Sequence, residues 1–226
     1  MRGRSDLVAS IAAEIDGLPL THVVRVAVDG VDGAGKTTFA DELAVALGGR
    51  GRGVIRSSVD AFHNPRIVRY RRGRSSPEGF FRDSYNYELL RRCLLDPLSP
   101  GGSQRFRRAC FDHQADEFVD PPAEIAPPRA ALVFDGIFLH RPELLTYWDY
   151  SVFLRVEFET SIGRCAQRQP DMSADPLAPS NRRYVEGQRL YLNECQPEFA
   201  ATLVIDNEVL ERPRILRRRT PPWTSA

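Results

Sequence analysis

Five apolar segments rich in β-branched residues recur along the chain. They are Val23–Val28, Val54–Val59, Ala130–Phe134, Ser151–Val156 and Thr202–Asn207. Their length and nearly continuous apolar character are typical of strands buried on both faces. Segments with helical spacing separate them, which indicates β-α-β units and a parallel sheet with right-handed crossovers. The pattern predicts an α/β fold with three layers, helices lying on both faces of the sheet.

Apolar residues at helical spacing predict the main helices. These helices are Ser5–Asp16 with Ser5 as the cap, Thr38–Leu47, Ser84–Leu95, Glu159–Gln169 and a long helix that begins near Asn181. Residues 61–84 are basic and rich in turn formers, so we expect an excursion from the sheet rather than a core element. Two short strands are predicted at 105–107 and 117–119. The tail, with Arg217–Arg219, Pro221 and Pro222, is expected to be loosely ordered.

Length, charge and cysteine content narrow the class of protein. The 226 residues suit one domain with an excursion or a small lid. A net charge of +1 gives no global basic field, so a nucleic-acid partner is not expected. The four cysteines are scattered without a C-x-x-C pair, which indicates reduced thiols in a cytoplasmic protein. We expect neither a signal peptide nor a membrane-spanning segment.

One stretch matches the phosphate-binding loop pattern G-x-x-x-x-G-K-[ST] without a mismatch. It runs from Gly30 to Thr37, directly after the first predicted strand and directly before a predicted helix. Glycines let the loop amides turn inward around a phosphate at the positive end of the helix. The residues predicted to bind nucleotide are Gly30, Asp32, Gly33, Ala34, Gly35, Lys36, Thr37 and Thr38.

Two further observations strengthen the phosphate-loop interpretation. Lys36 is the only lysine in the chain, at the position where a compact ammonium group near the β- and γ-phosphates is hardest to replace by arginine. Three apolar runs end in aspartate, at Asp29, Asp60 and Asp135. Carboxylates at the carboxyl ends of parallel strands fall where open α/β sheets bind ligands. We therefore predict a Mg²⁺ site near the Thr37 hydroxyl and Asp135.

Other motifs distinguish between classes of phosphate-loop protein. A GTPase would read guanine with an [NT]-K-x-D segment, which needs a second lysine that this chain lacks. A transport ATPase would carry Asp-Glu where this chain has Asp135-Gly136, and a helicase would be larger. A compact small-molecule kinase remains.

The chain resembles uridine kinase, within the uridine kinase and phosphoribulokinase group, from about Val26 to Asp206. The resemblance rests on residues 30–38, Val59–His63, Tyr85–Leu90, Phe134–Leu139 and an arginine-bearing segment from Arg164 to Tyr184. It implies a single kinase domain over 1–226. The core would comprise about 20–60, 130–160 and 200–207, with an acceptor-binding insertion at about 61–128 and a lid at about 164–185.

The resemblance also implies roles for individual residues. Asp60 corresponds to the carboxylate that accepts the proton of the 5′-hydroxyl, and it is also a candidate Mg²⁺ ligand. Asp135 stands where the family usually has glutamate. Arg164 and Arg168 correspond to lid arginines beside the transferring phosphate. The regions that contact nucleoside contain Asp83, Phe106 and His113.

The implied activity is ATP- and Mg²⁺-dependent phosphorylation of a primary hydroxyl group on a small molecule. The acceptor stays open between uridine or a related nucleoside, nicotinamide riboside, pantothenate, fructose and a phosphorylated sugar. The arginines Arg66, Arg69, Arg71, Arg72 and Arg74 keep a phosphorylated acceptor among these options. A nucleotide-binding regulator without transfer chemistry is an alternative of another class. The sequence leaves open whether the chain is a monomer or a homo-oligomer.

Overall fold

The secondary structure follows the apolar pattern of the chain closely in the central sheet. The computed structural model describes residues 3–219. In chain order its elements are α1 (Arg4–Asp16), β1 (Val24–Gly30), α2 (Lys36–Gly48), β2 (Val54–Ser58), a 3₁₀ turn (Val59–Phe62), α3 (Arg66–Arg69), α4 (Pro77–Asp83), α5 (Tyr87–Leu90), a π-helical turn (Arg91–Leu95), β3 (Arg105–Phe106), β4 (Phe111–Asp112), β5 (Glu117–Phe118), β6 (Glu124–Ile125), β7 (Ala131–Gly136), α6 (Pro142–Leu145), β8 (Tyr150–Arg155), α7 (Phe158–Arg168), α8 (Arg182–Cys195), α9 (Pro197–Ala200), β9 (Leu203–Asp206) and β10 (Arg214–Arg218).

Six strands form the central sheet in the order β10-β9-β8-β1-β7-β2. All five predicted strands are present and pair in parallel, while β10 adds an antiparallel edge next to β9. The chain runs from β1 outward to β2, returns to β7 between them and then crosses to β8 on the other side. The strand order therefore reverses beside β1, which is where parallel α/β sheets form their ligand crevice.

Successive residues of the buried strands face opposite sides of the sheet and so build two cores. Val26, Val28 and Val133 pack with α1 and α2 on one face. Ala27 and Phe134 pack with the segments inserted between β2 and β7 on the other face. The molecule therefore has the predicted three layers. No helix among residues 3–219 has the length and apolarity needed to cross a bilayer.

The insertion between β2 and β7 differs from the prediction in three places. Residues 61–84 were expected to lie outside the core, but Phe80 and Phe81 of α4 are buried against α8. The helix expected from Ser84 begins at Tyr87, because the side chain of Asn86 accepts the backbone N–H of Leu89 at 2.9 Å and caps it there.

The short strands also pair differently from the expectation. β3 pairs with β6, and β4 pairs with β5, so the two predicted strands at 105–107 and 117–119 belong to separate hairpins. The expectation of a loosely ordered tail is wrong for 214–218, which form β10. Pro221 and Pro222 lie outside the described residues. At the other end, α1 begins at Arg4 after Gly3, one residue before the predicted cap Ser5.

Candidate active site

The loop between β1 and α2 has a backbone that demands glycine at two positions. Gly33 and Gly35 have φ angles of +71° and +86°, in the left-handed region. A Cβ atom at Gly33 would lie 2.2 Å from the carbonyl oxygen of Ser161. The loop therefore passes very close to α7 and leads into the N-terminus of the 13-residue helix α2. The unpaired amides at such a helix start favour a bound anion.

The loop backbone is held from behind by side chains of α7, α8 and the end of β9. Ser161 Oγ donates to the carbonyl of Asp32 at 2.5 Å, and the backbone N–H of Asp32 donates to Gln188 Oε1 at 2.6 Å. Asn207 Nδ2 donates to the carbonyl of Ala34 at 2.7 Å. Ser161, Gln188 and Asn207 are functional candidates that the sequence reasoning missed, because a serine or an amide in a helix or strand end gives no local signal.

Arg164 and Arg168, predicted to act together, have different surroundings. The guanidinium of Arg164 donates to the carbonyls of Gly33 at 3.2 Å, Asn207 at 3.0 Å and Glu208 at 2.7 Å. It supports the loop and does not line the cleft described below. Arg168 does line that cleft.

A polar cluster joins the start of α2 to the end of β7. Thr37 Oγ1 donates to Asp135 Oδ2 at 2.7 Å, and Arg56 donates to Asp135 Oδ1 at 3.0 Å. Lys36 Nζ donates to the carbonyl of Val31 at 2.8 Å. Among the described residues no group of three or more His, Cys, Asp or Glu side chains could hold a metal by itself. A threonine with one or two carboxylates fits Mg²⁺, which keeps several waters and takes other ligands from substrate phosphates.

Asp60 lies in the 3₁₀ turn that follows β2. Its carboxylate accepts a hydrogen bond of 3.3 Å from the hydroxyl of Tyr85. His63 Nδ1 lies 2.9 Å from the carbonyl of Asp60 and donates to it, because a carbonyl can only accept. Burial lowers the pKa of His63 although the backbone bond and charge of Asp60 act to raise it, which favours the neutral ring. The turn is thereby fixed with Asp60 exposed.

These groups open into one cleft of about 1060 Å³. The loop residues that line it are Asp32, Gly33, Gly35, Lys36, Thr37 and Thr38, whereas Gly30 and Ala34 are buried behind them. Asp60, Asp135 and Arg168 also line the cleft. The structure therefore brings the phosphate-loop lysine and threonine to the same space as the carboxylates that follow β2 and β7.

Aromatic side chains form much of the remaining wall. They are His63, Tyr70, Phe80, Tyr85, His113 and Tyr184. The ring of His63 lies between those of Tyr85 and His113, with centroid distances of 4.6 Å and 5.4 Å. His113, a predicted acceptor residue, thus faces the cleft. The wall combines apolar ring faces with imidazole nitrogens and phenol hydroxyls, a combination suited to a small polar molecule with a ring.

The structure does not bring Asp83 and Phe106, the other two predicted acceptor residues, to the cleft. The buried carboxylate of Asp83 accepts hydrogen bonds from Arg71 at 2.5 Å and Arg72 at 2.9 Å. Phe106 is 1% exposed and packs in the core between the sheet and the insertion.

Four of the five arginines at 66–74 form ion pairs, but they share only two carboxylates, so the cluster keeps a net positive charge. Arg69 pairs with Asp116 at 2.9 Å, while Arg71 and Arg72 pair with Asp83. Arg69 is the member of the cluster that lines the cleft.

Comparison with solved structures tests the fold. A structure described as a possible uridine kinase from Bacillus stearothermophilus matches with a TM-score of 0.69 and 20% identity, over 88% of this chain and 97% of that one. A protein provisionally named a fructose transport system kinase, from Silicibacter, matches with a TM-score of 0.68 and 24% identity, over 85% of this chain and 95% of that one.

The fold is that of a P-loop kinase. A D-glycerate 3-kinase from Cryptococcus neoformans shares it with a TM-score of 0.58 and 11% identity, over 96% of this chain and 97% of that one. No family model matches the chain, and no curated protein sequence matches it. The assignment of the P-loop kinase fold therefore rests on structural similarity across almost the whole chain. Sequence identities this low do not identify the acceptor.

Proposed function

We propose that this chain transfers the γ-phosphoryl group of ATP to a primary hydroxyl group of a small molecule, the 5′-hydroxyl of uridine or a related nucleoside being the first candidate. The observation that carries the proposal is the shared cleft. Lys36 and Thr37 of the phosphate loop, Asp60 after β2 and an aromatic wall all border the same space. Phosphoryl transfer requires mainly positioning and electrostatic stabilisation, which this set of groups supplies.

Each side chain has a part in this proposal. Lys36 binds the β- and γ-phosphates, and Arg168 stabilises charge on the transferring group. Asp60 accepts the proton of the acceptor hydroxyl and orients that oxygen. Thr37 and Asp135 would hold Mg²⁺, with Asp60 as a further candidate ligand; the ion, when bound, neutralises charge on the phosphates. Arg164 acts indirectly, by keeping the loop in its binding conformation.

Segments of the chain divide this work. The insertion at about 61–128 supplies His63, Tyr85 and His113 to the acceptor side of the cleft. The segment at about 164–185 supplies Arg168 and Tyr184 and would act as a lid that excludes water. The four cysteines are free, which supports a reducing, cytoplasmic location as part of the proposal.

The surroundings of the cleft favour a nucleoside over a phosphorylated sugar. Arg69 is the arginine of the 66–74 cluster that lines the cleft, and it is already ion-paired with Asp116 at 2.9 Å. Among the rings that line the cleft, those of His113 and Tyr184 are exposed and offer surfaces on which a planar base can stack.

A coupled assay of ADP release tests the proposal directly. The wild-type protein is supplied with MgATP and, separately, with uridine, nicotinamide riboside, pantothenate, fructose and glycerate. We expect ADP release that depends on an acceptor and is fastest with uridine. Nucleotide binding without acceptor-dependent ADP release from any of these would identify a regulator and overturn the kinase proposal.

A further inference from the structure

Asp32 places a carboxylate inside the phosphate-binding loop, a position where its charge opposes the loop's usual ligand. The residue lines the cleft together with Lys36 and Asp60. Within residues 3–219 its carboxylate oxygens accept no hydrogen bond and form no ion pair, although its backbone N–H and carbonyl are both bonded. An acidic side chain that lines a binding cavity without a partner is a candidate for contact with a ligand.

Two hydrogen bonds hold the backbone of Asp32 in place at the edge of the cleft. The N–H of Asp32 is held by Gln188 of α8 at 2.6 Å, and its carbonyl by Ser161 of α7 at 2.5 Å. Helix α8 also carries Tyr184, which lines the same cleft. The backbone of Asp32 is therefore anchored to α7 and α8, and α8 also borders the cleft through Tyr184.

Electrostatics argue against a contact between Asp32 and the triphosphate. Two anionic groups at close range in a partly dry cleft repel each other strongly. The nearby Lys36 ammonium donates to the Val31 carbonyl at 2.8 Å and forms no ion pair with Asp32 among the described residues. Burial raises the pKa of Asp32, with the Asp60 charge adding to that rise, while Lys36 and Arg168 oppose it. A carboxylate that lines a cavity without a partner is stabilised by a ligand that donates hydrogen bonds to it.

A hydroxyl-bearing acceptor supplies such donors. Asp83, the carboxylate that sequence resemblance assigned to the acceptor, is occupied by Arg71 and Arg72 and does not reach the cleft. Asp60 is assigned to the hydroxyl that receives the phosphoryl group. Asp171 also lines the cleft, but it is exposed on the segment that follows α7, whereas the backbone of Asp32 is held in place by Gln188 and Ser161. Asp32 is therefore the better placed carboxylate for a second hydroxyl group.

We infer that Asp32 binds a second hydroxyl group of the acceptor, next to the one that is phosphorylated, so that the natural acceptor is a polyhydroxylated molecule such as a ribonucleoside rather than a simple alcohol. This inference rests on the proposed kinase function and assigns the residue to acceptor specificity instead of nucleotide binding. It involves no covalent step by Asp32.

The test compares Asp32→Ala with wild type in steady-state kinetics and in binding of a non-hydrolysable ATP analogue with Mg²⁺. Asp32 has no positive φ angle, so alanine suits the backbone. Loss of a charge-assisted hydrogen bond should raise the acceptor KM by roughly 10- to 100-fold. The analogue's Kd, measured by calorimetry, should stay within about threefold, because no phosphate contact is lost. Asp32→Asn, which retains an acceptor oxygen, should show a smaller rise.

Acceptor analogues sharpen the result. The wild-type protein should phosphorylate uridine more efficiently than 2′-deoxyuridine or 3′-deoxyuridine. Asp32→Ala should phosphorylate at least one of these two analogues as efficiently as uridine. The control is Glu88→Ala, which removes an exposed carboxylate that does not line the cleft and should behave as wild type in every assay.

Three results would overturn the inference. A tenfold loss of analogue affinity with an unchanged acceptor KM would assign Asp32 to the phosphates or their metal. A fall in kcat alone would assign it to the chemical step. If Asp32→Ala discriminates between uridine and both deoxy analogues as strongly as wild type, Asp32 does not contact the 2′- or 3′-hydroxyl group. If the wild-type protein shows no acceptor-dependent ADP release, the proposed kinase function itself fails. If the wild-type protein is active and only the results for Asp32→Ala differ from expectation, the role of Asp32 fails and the kinase function stands.

Discussion

Asp60 is the residue whose replacement best separates chemistry from binding. It is exposed in the cleft, and its carboxylate receives the Tyr85 hydroxyl at 3.3 Å. Asparagine in Asp60→Asn keeps the shape of the side chain and can still accept the hydrogen bond from Tyr85, but it cannot accept a proton from the acceptor hydroxyl. We expect kcat to fall by about 10²- to 10⁴-fold with ATP affinity nearly unchanged, measured by steady-state kinetics and calorimetry.

Asp120→Asn provides a matched control for Asp60→Asn, because Asp120 is 84% exposed and lies outside the cleft. It should leave both kcat and ATP affinity unchanged. Near-normal turnover of Asp60→Asn would remove Asp60 from the chemical step and would favour a purely orienting role.

The two arginines of α7 form a natural pair for a second comparison. Arg164 donates to three backbone carbonyls around the loop, whereas Arg168 lines the cleft. Arg164→Ala should therefore raise the KM for ATP and lower the melting temperature, because the loop loses its support. Arg168→Ala should lower kcat with little change in melting temperature. Identical effects of the two substitutions on kcat and stability would contradict this division.

The sequence predicted some site residues and not others for a physical reason. The positions of the glycine loop, Thr37 and Asp135 at the cleft were predictable because they depend on neighbours in the chain or on strand ends. The partners of Arg164 and Asp32 were not, because Gly33 and Arg164 are 131 residues apart and Asp32 and Gln188 are 156 apart. Residue spacing shows which face of a helix an arginine occupies. It does not show whether the arginine side chain binds a phosphate or a backbone carbonyl.

At the scale of elements, the end of β7 and the 3₁₀ turn are packed too closely for any side chain at Gly136. A Cβ atom there would lie 2.3 Å from Cγ1 of Val59, the residue before Asp60. Gly136→Ala should therefore displace the 3₁₀ turn and destabilise the fold by about 1–3 kcal/mol. We expect kcat to fall with it, since Asp60 moves with the turn.

A compensating substitution keeps that prediction testable. In the double variant Gly136→Ala with Val59→Ala, the clash with Cγ1 of Val59 is removed, but Cβ at that position still lies 2.6 Å from the new methyl group, so activity should recover only in part relative to Gly136→Ala alone. Chemical denaturation and the acceptor assay measure the two effects. If Val59→Ala alone lowers activity as much as the double variant and no recovery occurs, the clash does not control the turn.

Element prediction was good for the buried strands and poor for the insertion. The five apolar runs became β1, β2, β7, β8 and β9 because continuous burial leaves a strong composition signal. The seven-residue helix α4 escaped notice because Phe80 and Phe81 are its main apolar residues, too few to define a period. Strand β10 escaped because its side chains are mostly exposed and only its pairing with β9 orders it.

At the scale of the whole molecule, ion pairs within the insertion and a hydrogen bond to the segment after β7 support the apolar packing between the insertion and the sheet. Asp83, at the end of α4, is buried and paired with Arg71 and Arg72. Arg141, beyond β7, donates to the carbonyl of Phe81 at 2.7 Å. These bonds keep the aromatic wall of the cleft against the sheet, so a change in their charge state should affect stability and acceptor binding together.

The pH dependence of stability follows from the Asp83 pairs. Burial by itself raises the pKa of Asp83, but hydrogen bonds and charge from Arg71 and Arg72 outweigh it and hold the pKa below its ordinary value of 3.8. A carboxyl group whose pKa is lower in the folded state stabilises the fold above its unfolded pKa. That contribution is lost as the pH falls through the folded pKa.

Asp83→Asn should therefore destabilise the protein by about 1–3 kcal/mol at pH 7 and by progressively less as the pH falls below about 4. Urea denaturation of both proteins between pH 7 and pH 3 measures the difference in the free energy of unfolding. Asp120→Asn, at an exposed carboxylate, should track wild type over the same range. A difference between Asp83→Asn and wild type that stayed constant down to pH 3 would mean that packing, and not the charge of Asp83, holds α4 in place.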